Sequence, residues 1–362
     1  MYIKKANFQN FRNFSKLDLT FRPGFVILSG PNGAGKTNFL EGLYFSLSLA
    51  RFPTSALSQL LRGKEQFFSI KTTTLSNEDI SFEIFCEQRE GRPFLQLKTN
   101  GQVVTRGQYA RHASVICFLP EDLNLLTHSP ANRRRFLDEV LVSCSPEYRH
   151  TLSQYTKTLK QRSVALEKQA TLEVWDEQLA NFGSVITGFR KNLAEFINKR
   201  LEDVLSNISS ELGKIELKYH AGGDSDKDNF GKKLALARAR DLQRLTTSVG
   251  PHHDDFEMFN ERRAIVGYLS RGQLRAITLA LKILEKQYLE SFGLSPLMLL
   301  DDVFSEFDTK HQRHLLEFLK GFEQVFLTTA HLEEIKEFLP AGAQVYIVSD
   351  GSISSLPRPG EG

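Results

Sequence analysis

The chain has 362 residues, of which 41% are hydrophobic and 25% charged, a composition that predicts a soluble globular protein of roughly two domains. No apolar run reaches the ~20 residues of a membrane span, and Met1-Tyr2-Ile3-Lys4-Lys5 is not followed by a signal-peptide core, so the expected location is cytoplasmic, with no membrane partner. A formal net charge of +3 permits a polyanion without arguing for one, and Cys86, Cys117 and Cys144 lack the spacing of a disulfide framework or a zinc site.

Residues 1 to 24 read as two strands: Leu17, Leu19 and Phe21 alternate with Asp18, Thr20 and Arg22, after the turn Asn10-Phe11-Arg12-Asn13-Phe14. A buried strand, Phe25-Val26-Ile27-Leu28, leads into Gly30-Pro31-Asn32-Gly33-Ala34-Gly35-Lys36-Thr37, which fits G-x-x-x-x-G-K-[ST]. Phe39, Leu40, Leu43 and Leu47 then recur at helical spacing. Strand, glycine loop and helix in that order make a phosphate-binding loop. Its glycines let successive N–H groups face an anion, the helix N-terminus adds partial positive charge, Lys36 reaches the β and γ phosphates, and Thr37 ligates Mg²⁺. More alternation follows at Ile80, Phe82, Ile84 and Cys86, with turns at Glu90-Gly91-Arg92-Pro93 and Asn100-Gly101.

Past Pro120 the period becomes helical. Phe136, Leu137, Val140, Leu141 and Cys144 form one stripe, and Tyr148, Leu152, Tyr155 and Leu159 another. The steps Trp175, Leu179, Phe182, Ile186, Phe189, Leu193 and Phe196 predict a coiled-coil-like seam and an antiparallel helical arm. After the loop at His220-Ala221-Gly222-Gly223, a basic helix is expected from Lys227 to Arg244, then a hairpin around Asn260-Glu261 and a helix from Arg271 to Ser291. The strand Leu297-Met298-Leu299-Leu300, a helix from Thr309 to Gly321, the strand Val325-Phe326-Leu327 and a final strand Val345-Tyr346-Ile347-Val348 precede a frayed tail from Pro357 to Gly362.

A phosphate loop needs a second carboxylate site at a strand end, and Asp301-Asp302 supplies it: Asp301 for Mg²⁺, Asp302 to polarise the attacking water. Taken alone, such a pair can also cap a turn. Tyr268-Leu269-Ser270-Arg271-Gly272-Gln273 resembles the signature motif of ABC-type ATPases, in which Ser270, the Gly272 amide and a helix N-terminus offer donors to an anion. By itself it is equally an ordinary capped helix. His252-His253-Asp254-Asp255 does not suggest a metal cluster, because neighbours on a strand point to opposite faces.

The order phosphate loop, signature, Asp-ended strand, Ser305-Glu306-Phe307-Asp308 and Thr328-Thr329-Ala330-His331 is similar to that of ABC and SMC heads. More narrowly, the chain resembles the RecF family over nearly its whole length. The segments that carry this are Asn10-Phe11-Arg12-Asn13-Phe14, Gly35-Lys36-Thr37-Asn38 with Glu41, Pro120-Glu121-Asp122-Leu123, Ser129-Pro130 to Arg133-Arg134-Arg135-Phe136-Leu137-Asp138, Gly250-Pro251-His252 with Asp254-Asp255, and Asp301-Asp302-Val303-Phe304-Ser305-Glu306. The resemblance implies an α/β P-loop ABC/SMC-type ATPase head, from residues 1 to 118 and 292 to 362, with a mainly helical second lobe inserted at 119 to 291. It implies ATP and Mg²⁺ as cofactors, weak DNA-stimulated ATPase activity, and an ATP-dependent homodimer that clamps DNA at gaps and works with RecR, RecO and, indirectly, RecA. In that architecture Ser270 and Gly272 of one subunit close on the γ-phosphate held by the other. Lys36, Asp302 and His331 are then catalytic, Arg12 joins the phosphate loop in binding nucleotide, and Arg133, Arg134 and Arg135 are candidates for DNA, although on a helix they fan over about 200° and cannot all face one groove. The glutamine that transporter ATPases place between their lobes is not evident near Pro120, where Glu121 or Asp122 can stand in. The rival readings are another SMC-like repair or defence ATPase head and the ATP-binding subunit of a transporter.

Overall fold

Period-two alternation at both ends of the chain and helical period between them become 15 strands and nine α-helices among the described residues of the computed structural model, which describes residues 1–50, 56–76, 78–89, 92–109, 114–209, 211–336 and 339–356. The Glu90-Gly91 part of the expected turn and the tail from Pro357 lie outside them. In chain order the elements are β1 (Tyr2–Phe11), β2 (Phe14–Thr20), β3 (Gly24–Ser29), α1 (Lys36–Ser48), β4 (Phe67–Leu75), β5 (Asp79–Arg89), β6 (Arg92–Thr99), β7 (Gln102–Val103), α2 (Arg106–Tyr109) and β8 (Val115–Phe118). Next come α3 (Pro130–Cys144), α4 (Pro146–Glu167), α5 (Glu173–Ile208), β9 (Ile215–His220), α6 (Lys227–Arg244), β10 (Asp255–Asn260), β11 (Arg263–Ala264) and α7 (Arg271–Ser291). The chain closes with β12 (Leu297–Asp301), α8 (Thr309–Lys320), β13 (Gln324–Thr329), α9 (Leu332–Lys336), β14 (Gln344–Ser349) and β15 (Ser352–Ser355). They form two compact units, Met1–Asp122 with Gly293–Gly362, and Leu123–Phe292.

The first unit holds two six-stranded sheets. One is antiparallel, in the order β2-β1-β4-β5-β6-β7. The other, β15-β14-β3-β13-β12-β8, is parallel from β14 to β8, with β15 as its antiparallel edge. Val345 to Val348 is therefore not the final strand: Asp350 and Gly351, both at positive φ, turn the chain back into β15. Helix α1 touches strands of both sheets, and Phe39, Leu40, Leu43, Tyr44, Phe45 and Leu47 are all buried, so it is apolar around most of its circumference, as a helix packed on two sides must be. Phe8, Phe14, Phe21, Phe39 and Phe326 pack edge-on or tilted, with ring centroids 5.1 to 6.4 Å apart, and join the sheets through that helix. Buried Gln324 ties the sheets by polar contacts, accepting from the Ile3 N–H at 2.8 Å and donating to the Ile3 and Arg22 carbonyls at 3.1 Å. Because β3, β12 and β13 run parallel in adjacent positions, their C-terminal ends lie along one edge, where α/β sheets collect ligand-binding groups.

The second unit is built on the α4–α5 hairpin, with α3, α6 and α7 against it and a small sheet in the order β11-β10-β9. The 36-residue α5 differs from the apolar seam expected of it. Leu179, Ile186 and Leu193 are buried, but Trp175, Phe182, Phe189 and Phe196 are only half-buried, and the covered face also carries Asp176, Ser184, Thr187 and Arg190. The charges are paired. Fully buried Arg162 of α4 donates to Asp176 at 2.7 Å, and to Asp241 of α6 and Thr247 at 2.8 Å. Arg190 donates to Asp138 of α3 and to Asp254, both at 2.7 Å, and to the Pro251 carbonyl at 2.6 Å. Burying these ions is tolerable only because partners surround them. Strand β9 is an element beyond those expected from the sequence, with Ile215 and Leu217 buried between exposed Glu216 and Lys218.

Candidate functional site

The loop between β3 and α1 turns through Gly33 (φ 82°) and Gly35 (φ 114°), backbone angles at which a side chain is strained. At Gly35 space is also closed: an added Cβ would lie 2.3 Å from Asn13 Nδ2. That amide donates to the Ala34 carbonyl at 2.9 Å, and Asn38 Nδ2 donates to Asn13 Oδ1 at 2.9 Å, so the β1–β2 turn braces the loop and the first turn of α1 together. Gly30, Pro31, Asn32, Gly33, Ala34 and Gly35 thus wrap the N-terminus of α1, which starts at Lys36 and has no side-chain cap. Lys36 is buried and its Nζ donates to the Gly30 and Pro31 carbonyls at 2.7 and 3.0 Å. Burial pushes its ammonium below the ordinary lysine value, with the Asp302 and Asp301 carboxylates working against that.

Thr37, Asp301 and Asp302 meet there. The Thr37 hydroxyl lies 2.9 and 3.1 Å from the two Asp301 oxygens, and the Thr328 hydroxyl donates to Asp301 Oδ1 at 2.7 Å. Burial raises the Asp301 carboxyl above its ordinary value, against the hydrogen bonds from Thr328 and Thr37. Asp302 has φ 48° and its N–H donates to Thr328 Oγ1 at 2.9 Å. Burial raises its carboxyl too, opposed by the charges of Lys36 and His331 and by a hydrogen bond from the Ala330 backbone, and reinforced by Glu306. The exposed Thr37 hydroxyl against the buried Asp301 carboxylate, next to a lysine and a helix N-terminus, fits Mg²⁺ bound to a polyphosphate by the chemistry of the donors. Exposed His331 follows β13, its N–H donating to Thr329 Oγ1 at 3.0 Å.

The other expected residues lie as follows. Arg12, itself at φ 54°, gives its guanidinium to buried Glu41 of α1 at 2.6 to 2.7 Å and to the Gln59 carbonyl at 3.0 Å. Asp122 accepts from the Leu119 N–H at 2.9 Å, and Glu121 is exposed and bears on the Asp301 carboxyl. In the second unit Ser270 caps α7 through a reciprocal box, its Oγ accepting from the Gln273 N–H at 3.3 Å while Gln273 Oε1 accepts from the Ser270 N–H at 2.9 Å. Residues 266 to 268 and 270 to 272 are exposed, and beside Gly272 an added Cβ would find only Ser270 Oγ, at 4.0 Å.

The arginine triplet on α3 splits three ways. Arg133 forks onto both Asp255 oxygens at 2.6 and 2.9 Å and donates to the His128 carbonyl at 2.6 Å, which makes it a strut between α3 and β10. Burial alone would raise the Asp255 carboxyl, but Arg133 outweighs it and holds the group below its ordinary value. Arg134 donates to the Asp254 carbonyl at 2.8 Å, and Arg135 pairs with Glu139 one turn on. Sequence reading named neither Asn13 nor Thr328 as site residues; both act through tertiary contacts and neither falls in the loop motif.

The profile of the RecF/RecN/SMC N terminal domain matches residues 2–353. The DNA replication and repair protein RecF of Clostridium kluyveri is 33% identical over 98% of this chain and the whole of that protein, and that of Pelotomaculum thermopropionicum is 34% identical, also over 98% of this chain and the whole of that protein. Among solved structures, the recombination mediator RecF bound to ATP superposes with a TM-score of 0.87 at 28% identity, over 98% of both chains. An Smc head bound to the C-winged helix domain of ScpA shares the fold alone, with a TM-score of 0.59 at 15% identity over 99% of this chain and 98% of that one. Among the described residues no helix is long and apolar enough to cross a membrane. With the α/β P-loop head, the inserted helical lobe and full-length identity above 30%, the chain belongs to the RecF family within the RecF/RecN/SMC group.

Proposed function

We propose that this protein is an ATP-dependent DNA-binding protein of recombinational repair and replication, in which Mg·ATP joins two copies around DNA and slow hydrolysis releases them. The observation that carries the reading is the convergence of Lys36, Thr37, Asp301 and Asp302 at one edge of the parallel sheet. The loop amides and Lys36 bind the triphosphate, with Arg12 at the rim. Thr37 and Asp301 hold Mg²⁺, which when bound neutralises charge developing on the phosphates. Asp302 orients water for attack, and as an aspartate its carboxylate sits one methylene nearer its backbone than a glutamate would, which favours a slow clock. His331, beside Asp302, serves the same step. Ser270 and Gly272, on an exposed helix start, close on the γ-phosphate of a second copy.

Residues 1 to 118 and 292 to 362 act as the ATPase lobe and 119 to 291 as the lobe that senses DNA and partners. Of the arginines, Arg135 and Arg134 are offered to phosphate, and Arg133 orders the helix that presents them. RecR and RecO are the partners at gaps, ahead of RecA, in the cytoplasm, in keeping with relatives described as recombination mediators of the RecFOR pathway.

The test is binding of a gapped duplex followed by fluorescence anisotropy, with and without Mg·ATP, and with Lys36→Met. Affinity should rise at least about tenfold with Mg·ATP, and Lys36→Met should remove that gain, since one such contact is worth ~1.4 kcal/mol or more. DNA affinity indifferent to nucleotide would overturn the reading, and ATPase activity stimulated by a membrane partner but not by DNA would favour a transporter subunit.

A further inference from the structure

Thr328, the last residue but one of β13, lies directly opposite Asp301 on the neighbouring parallel strand, and it is fully buried. Its hydroxyl has one proton to give and lone pairs to receive, and both capacities are used on the two consecutive aspartates. It donates to Asp301 Oδ1 at 2.7 Å and accepts the Asp302 N–H at 2.9 Å. Two consecutive residues that the proposed mechanism assigns to different tasks therefore hang on a single side-chain oxygen.

We infer that Thr328 is a positioning residue of the ATP-hydrolysing site, whose hydroxyl sets the direction of the Asp301 carboxylate and the backbone turn of Asp302 together. The inference rests on the ATPase reading above. Thr37, the other hydroxyl on Asp301, is itself a proposed Mg²⁺ ligand, which leaves Thr328 as the donor with no other task. Asp302 stands at φ 48°, in the left-handed region that non-glycine residues enter only when something holds them there. Its N–H is fixed by Thr328, and the Ala330 backbone just past β13 bears on its carboxylate, so that strand end acts as the template for the water-orienting group. Without the hydroxyl, the half-buried Asp302 N–H loses this bond, the turn loses its restraint, and the Asp302 carboxylate drifts from the attacking water. A displacement of ~1 Å there costs about a hundredfold in rate.

The experiment compares Thr328→Val, which keeps the shape and loses the hydroxyl, with Thr328→Ser and Thr328→Ala, which both lose the methyl and differ only in the hydroxyl. Single-turnover ATP hydrolysis, the Mg²⁺ concentration for half-maximal rate, binding of a fluorescent ATP analogue and thermal melting are measured on the full chain. Valine and alanine should slow hydrolysis by about 10- to 100-fold and raise the half-maximal Mg²⁺ several-fold, while nucleotide affinity without Mg²⁺ stays within about twofold. Serine should hydrolyse within about threefold of the parent. Should valine fail to fold, the serine and alanine pair carries the same comparison. Equal rates for serine and alanine, or a valine variant as fast as the parent, would overturn the inference and leave the ATPase reading standing. A parent chain that hydrolyses no ATP would remove that reading and the inference with it.

Discussion

Substituting Gly35 by alanine probes the brace on the phosphate loop, because two separable costs meet there. The first is backbone: φ 114° is a region that a side chain enters at about 1–3 kcal/mol. The second is steric and polar. A Cβ 2.3 Å from Asn13 Nδ2 forces that amide away, and with it go the bonds to the Ala34 carbonyl and from Asn38, worth about 1 kcal/mol each. The total is about 3–5 kcal/mol. Gly33, at φ 82° with nothing within 4 Å of an added Cβ, should cost only the backbone part, about 1–2 kcal/mol. Since the loop is what offers N–H groups to phosphate, the loss should emerge chiefly as ATP affinity, about 100-fold or more for Gly35→Ala against about 10-fold for Gly33→Ala. Titration calorimetry on both variants and on Asn13→Ala would read this. The combined Gly35→Ala, Asn13→Ala variant should lose about 2 kcal/mol less than its parts added, because both changes break the same two hydrogen bonds. Strict additivity, or Gly35→Ala binding ATP within threefold of the parent, would refute the brace.

Other consequences are as direct. Arg135→Gln should lower the slope of log DNA affinity against log salt by about one, whereas Arg133→Gln should chiefly lower the melting temperature, by stranding Asp255; equal slope changes for the two would contradict the division of labour. His252 is half-buried with its Nε2 on the Thr247 carbonyl and its Nδ1 on the Tyr155 hydroxyl, and loss of hydration first of all lowers it from 6.5 to about 4. The unfolded chain therefore binds more protons between those values, and stability should fall by up to about 3 kcal/mol as pH drops from 6.5 towards 4. Urea unfolding at pH 7 and 5 should show a smaller loss in His252→Phe, and an identical loss would exclude this histidine as the source. Ser270→Arg should sacrifice a helix cap worth about 1 kcal/mol and leave ATP binding intact while preventing nucleotide-dependent association; light scattering that still finds the complex would remove the signature from the interface.

What could be read from sequence was what is local. Strand, glycine loop and helix lie within about 25 consecutive residues, so the phosphate loop announces itself, and the Asp301-Asp302 pair follows an uninterrupted apolar run. Helix α7 was equally legible, since Ser270 and Gln273 form their capping box within four residues. What escaped depends on distance along the chain. Asn13 meets Ala34 and Asn38 only once the β1–β2 turn folds over the loop, and Thr328 reaches Asp301 across a strand pairing 27 residues away. On α5 the regular spacing of large aromatics drew attention from Asp176 and Arg190. These are buried because helices α3, α4 and α6 bring them partners, something no periodicity reports. Arg133 looked like a phosphate contact because nothing in the sequence says that Asp255, more than a hundred residues on, lies against it.

In the proposed cycle, ATP held by this loop joins two copies and Asp302 limits how long they stay joined. It is tested most directly by multi-angle light scattering of Asp302→Asn, alone, with ATP and with Mg·ATP, alongside a hydrolysis assay. The expected result is a monomer that doubles in mass with Mg·ATP and stays doubled while hydrolysing almost nothing. A variant that binds Mg·ATP and remains monomeric, or one that hydrolyses at the parental rate, would contradict it.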